Sequence, residues 1–262
     1  METMEKTLNH YDCERIEKKF SRACNTYDQS AVAQKLIART LSSFLRRLLE
    51  DNHFYPQKAL EIGCGTGLFT EYLQKLFPFT EWTLNDLSEV CLKRALEYCS
   101  KNTLSLCGDV STLKWKNNFD LIASSSVFQW ISRPKTLISH LASVQSVGDV
   151  LIFSTFLPGN LQEINKLTHQ GIEYPSGNDW LKWLHPSYQI LDMNEEEMSF
   201  FFSSPRDVLL HLRDTGVTGN YSGIWTPGKF REFCNDYYRY FGTKNNQVKL
   251  TYKPLYVLAV KK

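Results

Sequence analysis

The sequence predicts an α/β fold in which a mostly parallel sheet is covered by helices on both faces and carries a helical cap. Three observations predict it. Apolar runs of strand length alternate with segments of helical spacing from residue 58 to residue 155, and such alternation builds parallel crossovers. The run Ala59-Leu60-Glu61-Ile62-Gly63-Cys64-Gly65-Thr66-Gly67 carries a buried strand through three alternating glycines into a helix. After Phe156-Leu157-Pro158-Gly159-Asn160 the alternation stops, and about 45 residues of helix and loop then separate the last two strand-like runs, more than a hairpin needs.

Taken in order, Ile16 to Glu50 has helical spacing, with Leu36, Ile37, Leu41, Phe44, Leu45, Leu48 and Leu49 in one stripe that Pro56 terminates. Strands follow at 58–62, 81–86, 104–107, 119–124 and 149–155, with helices at 67–77, 89–99 and 134–144 between them. An amphipathic helix at 160–170, a Trp-bearing helix around 178–184 and a long strand at 188–203 come next. Ser204-Pro205-Arg206-Asp207 offers an N-cap, a proline at the first helical position and an acid at N3, so a helix starts there and ends at Gly216. Thr226-Pro227 repeats the device before a final strand at 247–260. A single domain over 1–262 is expected, with 11–50 as N-terminal helices contributing to the cap, 58–156 as the ligand-binding core and 204–246 as a helical insertion before the last strand.

Composition narrows the partners. A chain of 262 residues, 42% hydrophobic, can bury one large core without staples. Thirty basic and twenty-eight acidic residues leave a formal charge of +2, too little for a nucleic-acid footprint. The seven cysteines (13, 24, 64, 91, 99, 107 and 234) form no C-x-x-C pair and mostly interrupt apolar segments, which reads as reduced thiols in a cytoplasmic protein. Met1 to Lys6 lacks an apolar signal core, and no stretch approaches the roughly 18 apolar residues of a membrane span. His10, His53, His140, His169, His185 and His211 show no ligand spacing, so no metal is expected, and nothing calls for more than a monomer.

The glycine spacing chooses among ligands. A dinucleotide fingerprint wants G-x-G-x-x-G over a pyrophosphate, whereas here the third glycine comes one residue early, and the Gly-Lys-Ser/Thr of a Walker loop is absent. The strand-E-x-G-x-G-x-G-helix run resembles the first motif of class I S-adenosyl-L-methionine (SAM) dependent methyltransferases, the alternative being an ordinary glycine turn. That resemblance implies a Rossmann-like seven-stranded sheet with one antiparallel strand, SAM as cofactor and S-adenosyl-L-homocysteine as product. Gly63, Gly65, Gly67, Asp86, Asp109 and the segment Ser124 to Trp130 all emerge at the carboxyl ends of strands, where such sheets bind ligands. Asp86, with Leu87 beside it, stands about twenty residues after the glycine turn, where an acid reaches ribose hydroxyls. Asn85 alternates to the other face and ranks below it. Asp109 is placed to accept from the adenine amino group while Val110 packs on the ring; a loop or helix cap is the competing role for both acids. Glu61 supports the loop backbone or, through water, the cofactor's ammonium, and Ser124 opens the segment beside the reacting methyl. No Asp/Asn-Pro-Pro-aromatic run stands there, so nucleobase N-methylation is disfavoured.

Four further segments narrow the family: Phe20-Ser21-Arg22-Ala23-Cys24-Asn25-Thr26-Tyr27-Asp28 with Gln34, Ser126-Val127-Phe128-Gln129-Trp130, Leu212-Arg213-Asp214-Thr215-Gly216-Val217-Thr218-Gly219, and Leu250-Thr251-Tyr252-Lys253-Pro254-Leu255-Tyr256. In this order they resemble the malonyl-acyl-carrier-protein O-methyltransferases of biotin synthesis, the BioC family, over roughly residues 16 to 262. Departures are Asn85, Val217 and a segment 111–118 without the proline loop of relatives. The resemblance implies methylation of the free carboxylate of a malonyl thioester on acyl carrier protein, with malonyl-CoA as a lesser substrate. It assigns catalytic roles to Tyr27, Gln129, Trp130 and Arg213, and substrate or cap roles to Arg22 and Phe20, with an arginine orienting the carboxylate. Core packing competes for Gln129 and Trp130, stapling of the N-terminal helix for Tyr27, and a salt bridge to Asp214 for Arg213. Lys18, Lys19, Arg22, Arg206, Arg213, Lys229 and Arg231 are the cations available to an acidic carrier protein. Two other readings stay open: a methyltransferase for another small carboxylate such as an aconitate-like acid, whose cap would hold several arginines, and a non-catalytic SAM-binding interaction protein.

Overall fold

The computed structural model describes residues 12–115, 118–217 and 226–262. Its strands are β1 (Lys58–Ile62), β2 (Glu81–Asp86), β3 (Leu104–Cys107), β4 (Leu121–Ser124), β5 (Val150–Phe156), β6 (Tyr188–Glu195), β7 (Met198–Phe202), β8 (Val248–Tyr252) and β9 (Pro254–Lys261). Seven form one sheet in the order β3-β2-β1-β4-β5-β9-β6, in which β9 alone runs antiparallel to its neighbours. This is the expected mostly parallel sheet with one reversed strand. Register aligns the strand ends that matter: Ile62 lies opposite both Asn85 and Ser124, and Asp86 opposite Cys107. Everything that follows β1, β2, β3 and β4 therefore leaves the sheet on one edge.

The helices are α1 (Cys13–Ser30), α2 (Val32–Asn52), α3 (Thr70–Leu76), α4 (Glu89–Ala95), α5 (Pro134–Ala142), α6 (Gln162–Thr168), α7 (Gly177–Leu184), α8 (Pro205–Asp214) and α9 (Pro227–Phe241). Because alternate strand residues face opposite ways, Ala59, Leu121 and Ile152 pack with Ile37, Leu41 and Leu45 of α2, Leu73 of α3 and Val208 of α8. Leu60, Ile122 and Leu151 pack with Leu137 and Leu141 of α5 and Trp180 of α7 on the other face. Each such fully buried aliphatic side chain contributes about 1.5–3 kcal/mol. Of the N-terminal pair expected in the cap, α2 is thus largely a core helix, and α1 alone lies over the strand ends. No described helix is long and apolar enough to cross a membrane.

The expected strands at 188–203 and 247–260 are each two. Both arms break at the same level, where Glu195, Glu196 and Glu197 crowd three like charges opposite Lys253-Pro254, and proline has no N–H for the ladder. Beyond the break β7 and β8 leave the sheet as a two-stranded ribbon, joined across it by the Glu196 N–H donating to the Pro254 carbonyl at 3.0 Å and by Lys253 pairing with Glu197 at 3.1 Å. The helical insertion therefore sits between β7 and β8, carried by the ribbon. Its caps form as the sequence indicates: Ser204 Oγ accepts from Asp207 N and Thr226 Oγ1 from Lys229 N. Thr218 and Gly219 of the family-like segment, the 218–225 part of the expected insertion and residue 11 of the N-terminal helices lie outside the described residues.

Candidate active site

At the carboxyl edge of the sheet the glycine turn, the ends of β2 and β3 and the segment after β4 line a cavity of about 200 Å³. Its roof is α1, whose Cys13, Ile16, Phe20, Cys24 and Tyr27 recur at helical spacing and all face inward. Arg22 lies between two of them in sequence, points outward and is exposed. Asp28 fastens the roof, accepting from the Arg94 guanidinium at 2.7 Å and from the Thr66 hydroxyl in the glycine turn. Ser21 and Ser88 share a hydrogen bond of 2.6 Å further along.

The three glycines have different work. A Cβ on Gly63 would strike the Val127 methyls, and one on Gly67 would come within 2.6 Å of the Tyr98 ring, so these two let the protein close on itself. Gly65 has φ +55°, and a Cβ there would meet nothing within 4 Å. Its open side is the cavity. Asp86 fixes that turn: its Oδ2 accepts from Gly65 N at 2.8 Å and its Oδ1 from Ser88 N at 2.8 Å, while burial pushes its carboxyl up. Leu87, Asp109 and Val110 also line the wall. Asp109 accepts from Ser111 N at 2.8 Å and meets the Cys13 thiol of α1 at 3.6 Å.

Asn85 is a positioning residue that alternation ranked low. Its amide donates to the carbonyls of Leu106 and Gly108, both at 2.9 Å, and so sets the path of the chain into Asp109. Glu61, Gly67 and Ser124 do not reach the cavity wall. Ser124 is wholly buried, its hydroxyl donating to Ile62 O at 3.0 Å between β4 and β1, and Ser125 and Ser126 take the wall instead. Glu61 accepts from the Thr70 hydroxyl at 2.7 Å, holding the start of α3 against β1.

Burial pushes the Glu61 carboxyl up to about 8. The unfolded chain ionises this group near 4.5, so between 4.5 and 8 it has released a proton that the native state retains. The stability so contributed is complete below pH 4.5 and is lost as pH rises through 8. Glu61→Gln keeps an acceptor for Thr70 without the charge. It is expected to match the parent in thermal unfolding near pH 4.5 and to exceed it at pH 8, by ~1 kcal/mol or more. Equal midpoints at both values would show that the carboxyl is not held protonated.

A second, smaller chamber adjoins the first. Phe20, Tyr27, Ser126 and Trp130 line both, and the chamber adds Gln34, Gln129, Phe156, Asn160, Tyr174, Thr215 and Tyr252 among others. Phe20 meets Trp130 edge to face, with centroids 5.7 Å apart. Among the described residues that line the chamber none is charged. Gln129 is committed to the protein, its Nε2 donating to Ser126 O at 2.6 Å and its Oε1 accepting from Thr155 at 3.3 Å.

The chamber shares Ile172, Tyr174 and Val217 with a groove that has apolar walls from Leu161, Ile164, Leu209 and Phe230 and is edged by Arg15, Lys19, Arg206 and Arg213. Burial and the neighbouring Arg15 push the Lys19 ammonium down. Arg213 is therefore at the groove and not in the chamber. It is two-thirds exposed and bonds Asp214 Oδ1 through Nε at 2.9 Å and Nη2 at 2.8 Å. Lys18, Arg22, Lys229 and Arg231 do not line the groove.

Residues 60–153 match the family model described as a methyltransferase domain. The chain is 37% identical over 255 residues to a malonyl-acyl-carrier-protein O-methyltransferase of Porphyromonas gingivalis, covering 96% of this chain and 97% of that one. The chain belongs to the malonyl-acyl-carrier-protein O-methyltransferase family. A family member from Haemophilus influenzae is 33% identical, with 97% and 96% of the two chains covered. Among solved structures, a methyltransferase from Bacillus halodurans superposes with a TM-score of 0.60 at 16% identity, over 83% of this chain and 98% of that one. An N-methyltransferase from Bradyrhizobium japonicum, solved with S-adenosyl-L-homocysteine, gives 0.52 at 15% identity, over 85% and 86%. These two share the fold. Within the family frame, the Phe20-to-Asp28 segment is the roof helix, and Ser126 to Trp130 is the wall between cavity and chamber.

Proposed function

We propose that the chain methylates the free carboxylate of a malonyl thioester on acyl carrier protein with SAM, giving S-adenosyl-L-homocysteine and the methyl ester that primes pimelate synthesis for biotin. One observation carries this beyond family membership: a cavity at the glycine turn, a chamber whose described lining is uncharged and a groove edged by cations adjoin one after another and share walls. The residues fit the cofactor. The open side of Gly65 admits its amino-acid part, Asp86 faces the space for ribose hydroxyls, and Asp109 with Val110 stands where adenine would lie. When bound, SAM supplies an electrophilic methyl: a carboxylate oxygen forms the new C–O bond while the S–CH₃ electron pair stays on sulfur, and no proton moves.

The rest falls to this chain's own residues. A malonyl carboxyl, by analogy with ordinary values of about 4, arrives ionised, so no general base is required. The wall formed by Phe20, Tyr27, Ser126 and Trp130 fixes the approach and excludes water, and positioning of this kind supplies several kcal/mol of the barrier. The cap consists of α1 over the cofactor cavity, with α8 and the start of α9 beside the groove. An aconitate-like acid would need several cations in the chamber, and its described lining has none. Methyl transfer from labelled SAM to malonyl-carrier protein, run beside acetyl-carrier protein and malonyl-CoA, tests the reading. Base-labile label on malonyl-carrier protein, less on malonyl-CoA and none on the acetyl form is expected; no label on any of them despite SAM binding would overturn it in favour of another carboxylate substrate or a non-catalytic binding protein.

The groove suits a pantetheine arm, with an acidic carrier protein at its cationic rim. Arg206→Glu with Arg213→Glu is expected to raise KM for malonyl-carrier protein about tenfold at low salt, with the effect fading as salt is added. Malonyl-pantetheine, which has the thioester and no protein, should react unchanged. An unaltered KM for the carrier-bound substrate would remove this rim from the docking surface.

A further inference from the structure

We propose that Gln34 and Ser126 hold the acceptor's carboxylate in the chamber, as neutral hydrogen-bond donors in the place where an arginine is expected. The inference rests on the malonyl reading above and deepens it. Its first support is that these two side chains have unmet polar atoms. Gln34, on the first turn of α2, is 6% exposed, and its Oε1 has no hydrogen-bond partner among the described residues. The buried Ser126 Oγ has none either. A buried polar atom left unpaired costs folding free energy, and native structures leave few of them without a reason.

The second support is backbone conformation. Ser126 has φ +60°, in the left-handed region that residues with a side chain avoid. The protein holds it there: its N–H is shared between Ser154 Oγ at 2.9 Å and Ser154 O at 3.2 Å, and its carbonyl accepts from Gln129. Three hydrogen bonds thus fix the backbone of a strained residue while its hydroxyl stays uncommitted, at the wall shared with the cofactor cavity. Strain of this kind is kept where geometry matters.

Of the other polar groups around the chamber, those of Asn160, Tyr252 and Thr215 are engaged. Asn160 donates to Tyr174 and accepts from Lys253 N, Tyr252 bonds His211 at 2.7 Å, and the Thr215 hydroxyl donates to His211 O. A carboxylate accepts and does not donate. The Ser126 hydroxyl supplies one proton, and the Gln34 amide, turned about its last bond, presents N–H to the same space.

Neutral donors also suit the chemistry. Methyl transfer discharges the carboxylate, so a guanidinium beside it would stabilise the ionised reactant more than the transition state and would raise the barrier. Neutral partners bind the anion with a smaller bias of that sort, and they release the uncharged ester readily.

Binding with S-adenosyl-L-homocysteine present and no turnover tests this, comparing malonyl-carrier protein with acetyl-carrier protein. The parent is expected to prefer the malonyl form. Gln34→Leu and Ser126→Ala should each reduce that preference about tenfold, the worth of a hydrogen bond to a charged acceptor, and Gln34→Leu, at a position that does not line the cofactor cavity, should leave acetyl binding and S-adenosyl-L-homocysteine affinity unchanged. Ser126→Gly should reduce the preference likewise with no loss of stability, since glycine adopts φ +60° freely. An unchanged preference, or malonyl and acetyl forms weakened in parallel, overturns the inference. A parent that does not distinguish the two forms overturns the malonyl reading, and the inference with it.

Discussion

Gly65→Val is expected to fold, and to bind SAM too weakly for calorimetry to detect. A Cβ at this position meets no protein atom within 4 Å beyond its chain neighbours, so the valine methyls extend into the cavity that the cofactor's amino-acid part needs. The backbone at φ +55° resists a β-branched residue, a cost of about 1–3 kcal/mol that a chain of this size should survive with a lowered melting temperature. Gly63→Ala and Gly67→Ala make the contrast. Their added carbons strike Val127 and the Tyr98 ring, so they should lose stability first and affinity only as a result. Native-like circular dichroism with SAM affinity intact in Gly65→Val would show that the turn faces something other than the cofactor.

Asp86→Asn should weaken SAM about a hundredfold or more, through two losses that act together. The carboxylate now accepts from Gly65 N and Ser88 N with its two oxygens. An amide of the same shape must turn its NH₂ toward one of those donors, which leaves that N–H unpaired at about 1–3 kcal/mol and loosens the turn. It also removes the charged acceptor for the ribose, worth about 1.5–3 kcal/mol per hydrogen bond. Asp109→Asn should cost far less, because Asp109 is half-exposed and anchors only Ser111 N and the tip of α1. A dissociation constant for Asp86→Asn within a few-fold of the parent would remove Asp86 from the cofactor site.

The sheet was legible because its signals are local and repeated. Apolar runs of strand length separated by helical spacing admit few arrangements, and the glycine turn marks which end of the sheet is used. The misreadings come from phase and from partners far away in sequence. Ser124 and Ser125 differ by one residue at a strand end, where side chains alternate, and only the register of β1 against β4 decides which is buried. Arg213 follows the buried Leu212 on α8; a turn of 100° per residue carries it outward, a phase that the apolar spacing of that helix contains. Asn85 does alternate away from Asp86, yet in a sheet covered on both faces the other side is interior too. The break in the two long strands depends on where the ribbon must carry α8 and α9, which neither strand encodes alone. Gln34 belongs to the family-like opening segment, yet nothing in that segment assigns its side chain a role, because its surroundings come from five distant segments.

Asp28 touches the glycine turn through Thr66 and α4 through Arg94, while its own helix brings Phe20 and Tyr27 to the acceptor chamber. One carboxylate thereby ties the glycine turn of the first cavity to the helix that walls the chamber. If cofactor and acceptor take the two spaces as proposed, a roof steadied through the turn is a better-formed chamber, and the expected result is that either ligand raises the affinity of the other by the same factor. Reciprocal coupling of this kind favours neither order of addition, so the helix ties the two spaces together without ranking them.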